Sequence, residues 1–244
     1  MNLVIDIGNT RSKLAVFNQD TMMYSTMEMN RVSGMLNEIK EKFPDINQCI
    51  ISAVKQELSE LVKKLGDLHI PFIRLGSSLK FPFEIQYSSP ETLGNDRLAA
   101  VAGAFSLYPN KDVLVIDAGT AITYELLLRE GGYIGGNISP GLNMRYKALH
   151  TYTDQLPLLT QQDKEHLIGN NTNEAITGGV QNGLIFEIEG YLTKISNKYP
   201  QLTVLLTGGD AQFFDNKLKK TIFVVPNLTL IGLNFILNYN AWAL

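Results

Sequence analysis

Residues 3–13 read LVIDIGNTRSK, and residues 114–120 read LVIDAGT. Each is an apolar run closed by an aspartate, then a glycine turn carrying a threonine, and the copies lie about 110 residues apart. One such stretch is a common accident of strand composition. Two in the same register, each opening half of the chain, point to a duplicated unit with carboxylates at equivalent places, Asp6 and Asp117. Further apolar runs follow, KLAVF after the first turn and AITYELLL after the second. The pattern is strand, tight turn, strand in both halves.

Working outward, helical spacing of apolar positions spans residues 32–42 and again 57–65, with the short strands CIISAV and PFIRLG between and after them. Residues 79–94, with Pro82 and Pro90, read as an irregular connection. LAAVAGAFSLYP is a helix ended by its proline, and its small residues imply close packing. A boundary falls near residues 109–112. In the second half GGYIGGNISPG, residues 131–141, is expected to turn sharply, and MRYKALHTY is helical. NTNEAITGGVQNGLIFEIEGYLTKI is a long helix opening at an Asn or Thr cap. TVLLTGGDAQFF is a buried strand, a glycine turn and a helix start. The last helix, NLTLIGLNFILNYNAWAL, can pack back on the first half. Strands alternating with helices make the class α/β, with lobes at residues 1–110 and 111–244.

The composition fits a globular chain: 45% hydrophobic and 18% charged in 244 residues. Lys plus Arg number 21 against 24 Asp plus Glu, a net charge of −3. There is no dense basic stripe, so nucleic acid is not indicated as a partner. No apolar stretch reaches the roughly 18 residues of a membrane span, and the N-terminus reads directly into a strand, not a signal peptide. The single cysteine, Cys49, sits in the apolar run CIISAV and reads as a buried strand residue of a reducing compartment. The expectation is a cytoplasmic protein without a membrane partner.

The turns carry the chemistry. Gly8 allows a positive φ and lets a phosphate approach the backbone. Asn9, Thr10 and Ser12 add donors, and Lys13 places a point charge on a phosphate. Asp6 would hold magnesium, directly or through water; equally, it could serve only its own turn. Asp117, Gly119, Thr120 and Thr123 offer a second such hairpin. A third turn, Thr207-Gly208-Gly209-Asp210, suits close backbone contact with a base or sugar. Three such turns on duplicated α/β halves describe an actin-like (ribonuclease H-like) ATPase architecture, with nucleotide bound between two lobes. Competing nucleotide motifs fail: there is no Gly-Lys dipeptide for a Walker A loop, and GGYIGG is not GxGxxG. His69, His150 and His166 are scattered, with no HExxH, CxxC or GxSxG.

DIGNTRSKLAVF, YSSPETLGNDR, VIDAGTAIT, GGNISPGLNM, GNNTNEAITGG and LLTGGD occur in the order found in type III pantothenate kinases, and the chain resembles that family along nearly its whole length. The motif Gly94-Asn95-Asp96-Arg97 is the most particular to it. The resemblance implies ATP-dependent phosphorylation of pantothenate, the first committed step of coenzyme A synthesis. It also implies a homodimer with shared active sites, magnesium, and a monovalent cation such as potassium or ammonium. Residue by residue, Asp6, Gly8, Asn9, Thr10 and Lys13 match the first phosphate motif, and Asp96 matches the general base. Arg97 matches the partner of the pantothenate carboxylate, Tyr87 matches a substrate-contacting tyrosine, and Gly94 and Asn95 belong to the same substrate-binding motif. Asp117 with Thr120 matches the monovalent-cation and second phosphate motif; Gly208 and Gly209 complete the nucleotide turns. Thr172 matches a threonine that reaches pantothenate from the neighbouring subunit. DAGT stands where some members have DFGT or DCGT, and Asn95 stands where many have Ala; neither changes a reacting group.

The residues leave two rivals. An actin-like sugar kinase or exopolyphosphatase would use the same turns, although the chain is short for the insertions of sugar kinases. A regulatory protein of transcription would keep the fold without the reaction. Asp96 also has a plain reading, as the N-cap of the helix that follows it.

Overall fold

The chain opens with β1 (Asn2–Ile7), which turns at Gly8 into β2 (Ser12–Asn18) as an antiparallel hairpin with Asp6 opposite Lys13. This computed structural model describes residues 1–8, 11–28, 32–53, 58–76, 78–164 and 166–241. β3 (Thr21–Glu28), α1 (Val32–Lys42), β4 (Gln48–Ala53), α2 (Ser59–Asp67), β5 (Phe72–Arg74) and α3 (Asn95–Leu107) follow. Then come β6 (Val113–Ala118), β7 (Ala121–Leu128), β8 (Gly132–Pro140), α4 (Leu142–Thr151) and α5 (Thr172–Lys198). The chain ends with β9 (Thr203–Thr207), α6 (Ala211–Asp215), β10 (Phe223–Val224) and α7 (Leu228–Tyr239).

These elements form two compact units. One comprises residues 1–109, 130–134 and 227–244, the other residues 110–129 and 135–226. The first is built on the sheet β3-β2-β1-β4-β5, in which β4 runs parallel to β1 and β5 to β4. Leu3, Ile5, Leu14, Cys49 and Ile51 pack with Leu36 of α1 and Leu65 of α2. The alternate residues Val4, Ala15 and Ile50 are equally buried, and α7 lies against β1, β2 and β4. With both faces covered, β1 reads as a continuous apolar run and shows no alternation. α3 crosses α7 so closely that a Cβ on Gly232 would come within 1.8 Å of the Ala99 carbonyl oxygen. That crossing fixes the helix whose first turn carries Asp96 and Arg97.

The second unit repeats the hairpin in the sheet β10-β9-β6-β7-β8, with β9 parallel to β6. Its core joins Leu114, Ile116 and Tyr124 of the hairpin to Ile176, Val180, Leu184 and Ile188 along one face of α5.

Several elements differ from the sequence reading, the short β10 among them. β3 is a strand where none is expected: residues 21–27 alternate between exposed and half-buried, but Met23 and Met27 lie on the exposed face and blur the pattern. Residues 131–141 turn only at the start, where Gly132 has φ +73°; the rest is β8. Its glycines serve close strand pairing, since a Cβ on Gly136 would meet the Tyr124 carbonyl oxygen at 1.9 Å. Helix α3 begins at Asn95 with Gly94 as its N-cap, so Asp96 lies inside the first turn and is not the cap. The expected start of the second helix, Glu57, lies outside the described residues.

Candidate active site

In the first unit the site is built at the end of β1. The parallel register of β1 and β4 sets Ser52 directly beside Asp6, and its hydroxyl donates to Asp6 Oδ1 at 2.9 Å. Burial pushes the Asp6 carboxyl above the ordinary aspartate range; the Ser52 bond and the Lys13 charge oppose that, and the charge of Asp96 adds to it. Asp6 thus senses Asp96 electrostatically, which brings two sequence-predicted residues into one neighbourhood. The Gly8 amide donates to the Arg11 carbonyl oxygen at 3.1 Å and closes the turn. Gly8 does not take a positive φ, and a Cβ there would lie 3.0 Å from the Arg11 carbonyl oxygen, a tight contact. Asn9 and Thr10 lie outside the described residues.

The start of α3 supplies the second part. Asp96 is exposed, and its Oδ1 accepts the Arg97 backbone N–H at 2.8 Å. Gly94 leaves room for that carboxylate: a Cβ on it would fall 2.5 Å from Asp96 Oδ1. Asn95 donates its side-chain amide to the Leu75 carbonyl oxygen at 3.3 Å. Arg97 is buried, at 5% exposure. Its Nη2 donates to the Tyr133 hydroxyl at 3.1 Å and Nη1 to the Tyr87 hydroxyl at 3.4 Å, with Cζ 5.3 Å from the Tyr87 ring centre. An exposed carboxylate and a buried, oriented guanidinium therefore sit on consecutive residues.

In the second unit Asp117 is the last residue but one of β6, half-buried, between Thr123 of β7 and Thr207 of β9. Gly208 has φ +97°, and a Cβ on it would lie 2.3 Å from the Ala118 carbonyl oxygen and 2.5 Å from Asp117 Oδ1. The Asp210 amide donates to the Ala118 carbonyl oxygen at 2.9 Å, and the Gly141 amide to that of Thr120 at 3.1 Å. The turns at 117–120 and 207–210 are thus one structure around the Asp117 carboxylate. Among the described residues nothing lies within 4 Å of a Cβ built on Gly209, and Thr120 is exposed. Thr172 is the exposed first residue of α5; the cap is Asn171, whose side chain accepts the Glu174 amide at 3.0 Å.

Residues 2–194 match the sequence pattern of the family described as type III pantothenate kinase. A Bacteroides fragilis (strain YCH46) protein of that name is 46% identical over 240 residues, 98% of each chain. The one from Christiangramia forsetii is 42% identical over 241 residues, 98% of this chain and 99% of its own. The chain belongs to the type III pantothenate kinase family.

It is accordingly a kinase, and solved structures share its fold. A Campylobacter jejuni protein assigned to the Baf family of transcriptional activators matches at TM-score 0.62 and 24% identity, over 98% of each chain. The activator of 2-hydroxyisocaproyl-CoA dehydratase from Clostridium difficile, solved with ADPNP, matches at 0.58 and 14%, over 99% of this chain and 96% of its own. At such identities these likenesses show the fold alone.

Asp6 has one carboxylate oxygen engaged by Ser52, and a carboxylate is the kind of oxygen ligand that magnesium shares with phosphate and water. Among the described residues no group of three or more His, Cys, Asp or Glu could hold a metal by itself. Sequence reasoning missed Ser52 and Tyr133. Strand register alone could have found Ser52; Tyr133 lies in the stretch read as a sharp turn.

Proposed function

We propose that this chain transfers the γ-phosphoryl group of ATP to the primary alcohol of pantothenate, with Asp96 as general base and Arg97 as partner of the substrate carboxylate. ATP-dependent phosphorylation of pantothenate, the first step of coenzyme A biosynthesis, is the reaction of its family. The observation that supports these roles best is the consecutive pair on α3: an exposed carboxylate beside a buried guanidinium held by two tyrosines. Phosphoryl transfer asks for positioning, charge neutralisation and an acceptor for the hydroxyl proton. Asp96 takes that proton at the alcohol end. Arg97 anchors the anionic end, where a planar guanidinium can form two parallel hydrogen bonds to a carboxylate. Tyr87, Gly94 and Asn95 form the wall beside them, with Gly94 making space for the Asp96 carboxylate.

On the nucleotide side, Lys13, Gly8, Asn9 and Thr10 of the first unit would meet the phosphates, and Thr120, Gly208 and Gly209 are the nucleotide-contact residues of the second unit. Asp6 would hold magnesium, which when bound neutralises charge on the transferring phosphoryl group. Asp117 with Thr120 would hold potassium or ammonium, hard cations suited to carboxylate and hydroxyl oxygens. We infer a homodimer in which Thr172 reaches the partner's pantothenate, because Asn171 already caps α5 and leaves Thr172 outward. No helix among the described residues is long and apolar enough to cross a membrane, and Cys49 is fully buried; both accord with a cytoplasmic enzyme.

ATP consumption with and without pantothenate tests this reading. Turnover that requires pantothenate and yields phosphopantothenate supports it. Turnover indifferent to pantothenate, or the same turnover on a sugar, contradicts it.

A further inference from the structure

Tyr133 is fully buried and comes from a short segment, Glu130–Ile134, that belongs to the first unit although the chain on both sides of it belongs to the second. Its backbone is locked: its N–H donates to the Glu84 carbonyl oxygen at 2.8 Å and its carbonyl oxygen accepts the Gln86 N–H at 2.9 Å. Gly132 permits this approach, with φ +73° and no space for a Cβ, which would lie 2.4 Å from the Glu84 carbonyl oxygen. The Tyr133 ring lies parallel to that of Tyr87, the planes 8° apart and the centres 6.4 Å apart. The rigid ring therefore delivers its hydroxyl to a fixed point, and that point accepts a hydrogen bond from Arg97 Nη2 at 3.1 Å. A guanidinium binds a carboxylate through two donors of one fixed edge, so its rotation about the side-chain axis decides whether that edge faces the substrate. The Tyr87 hydroxyl, at 3.4 Å, is the longer and weaker holder.

We propose that Tyr133 is a positioning residue for substrate recognition: its hydroxyl sets the rotation of Arg97 and thereby the affinity for the pantothenate carboxylate. The proposal rests on the reading of Arg97 as the carboxylate's partner. It assigns a specificity role to a tyrosine in the glycine-rich segment, outside the Gly94–Arg97 motif.

The test is steady-state kinetics of Tyr133→Phe, Arg97→Met and the double variant, each with its melting temperature. Tyr133→Phe keeps the ring and removes only the hydroxyl. The expected result is a rise of about tenfold in KM for pantothenate, of the size of losing one hydrogen bond to a charged group. KM for ATP, kcat and melting temperature should stay near wild type. Arg97→Met should raise the same KM further, and the double variant should be no worse than Arg97→Met alone. If Arg97→Met raises KM but Tyr133→Phe does not, or if the two effects simply add, the role of Tyr133 is overturned and that of Arg97 stands. If Arg97→Met leaves KM for pantothenate unchanged, the underlying reading fails and the proposal with it. A Tyr133→Phe variant with altered kcat, both KM values and melting temperature marks a merely structural hydroxyl and also overturns it.

Discussion

Ser52 on β4 donates its hydroxyl proton to Asp6 on β1 at 2.9 Å, and the two residues are direct partners in the parallel register of those strands. The bond acts against burial, which pushes the Asp6 carboxyl upward. Ser52 thus helps to keep Asp6 ionised.

Removing that hydroxyl should show in the pH dependence. Ser52→Ala leaves Asp6 its burial and its repulsion from Asp96 without the compensating bond, so its pKa rises further. The acid limb of kcat/KM for ATP should move to higher pH. Apparent affinity for magnesium should fall roughly 10- to 100-fold, as is typical when the partner of a metal-holding side chain is lost. A variant with the wild-type profile would show that Ser52 is only a strand residue.

Asp6→Asn should separate stability from function. A carboxyl whose pKa is raised by folding contributes stability below its unfolded value, and that contribution is lost as pH rises through the folded value. At neutral pH the half-buried Asp6 charge therefore costs stability. The Asn variant should melt at or above wild type at pH 7, its advantage shrinking toward pH 4, while kinase activity falls to background. An Asn variant less stable than wild type at pH 7, with no such trend, contradicts this electrostatic picture.

Glu187 of α5 gives the opposite sign. Burial favours its neutral form, but hydrogen bonds from Arg145, Ser139 and Tyr124 prevail and hold the carboxyl below its usual range. Arg145 Nη2 lies 2.5 Å from Glu187 Oε2, and the Tyr124 hydroxyl 2.9 Å from Oε1. For a carboxyl depressed by folding, the stabilisation is present above the unfolded value and lost as pH falls through the folded one. Arg145→Ala should cost about 1–3 kcal/mol at pH 7, between the ranges for exposed and buried pairs. The loss should shrink below about pH 4, the ordinary range of a glutamate, as read by denaturant unfolding at several pH values. A deficit independent of pH would mean that Arg145 acts through its hydrogen bonds to the Pro140 carbonyl oxygen and the Ser139 hydroxyl, or through packing, and not through Glu187.

Gly208 and Gly209 are adjacent and should behave unlike each other. Gly208→Ala forces a side chain into a left-handed conformation and against Asp117. It should cost at least about 1–3 kcal/mol and disturb ATP use. Gly209→Ala meets open space and should leave stability within about 0.5 kcal/mol of wild type. A rise in KM for ATP from Gly209→Ala, without loss of stability, would mark the open backbone there as a nucleotide contact. Equal melting temperatures for the two variants would refute the geometry of this turn.

Much of this was legible in the sequence because local chemistry wrote it there. The twin Asp-x-Gly hairpins, the cap at Asn171 and the buried Cys49 strand all follow from periodicity and side-chain type. What escaped depended on distant backbone. Ser52 lies in an apolar run and gains meaning only from its register beside Asp6. Gly132–Pro140 looked like a series of turns because glycine marks both turns and close strand approach, and only the neighbouring strand decides between them. Met23 and Met27, apolar on an exposed face, hid the alternation of β3. The α3 start was misplaced by one or two residues, since an aspartate suits both the cap and the first turn of a helix.

That last displacement sharpens the test of Asp96. With Gly94 as N-cap, the carboxylate is not needed to start the helix, and an asparagine there could still accept the Arg97 amide through its side-chain oxygen. Asp96→Asn should therefore fold, bind ATP and melt within about 2 °C of wild type, less than the shift expected from 1 kcal/mol in a domain of this size. Its kcat for pantothenate phosphorylation should drop on the order of 10² to 10⁴, the usual cost of losing a general base. A folded Asp96→Asn enzyme that turns over within a fewfold of wild type would contradict the account, and the proton acceptor would have to be another residue.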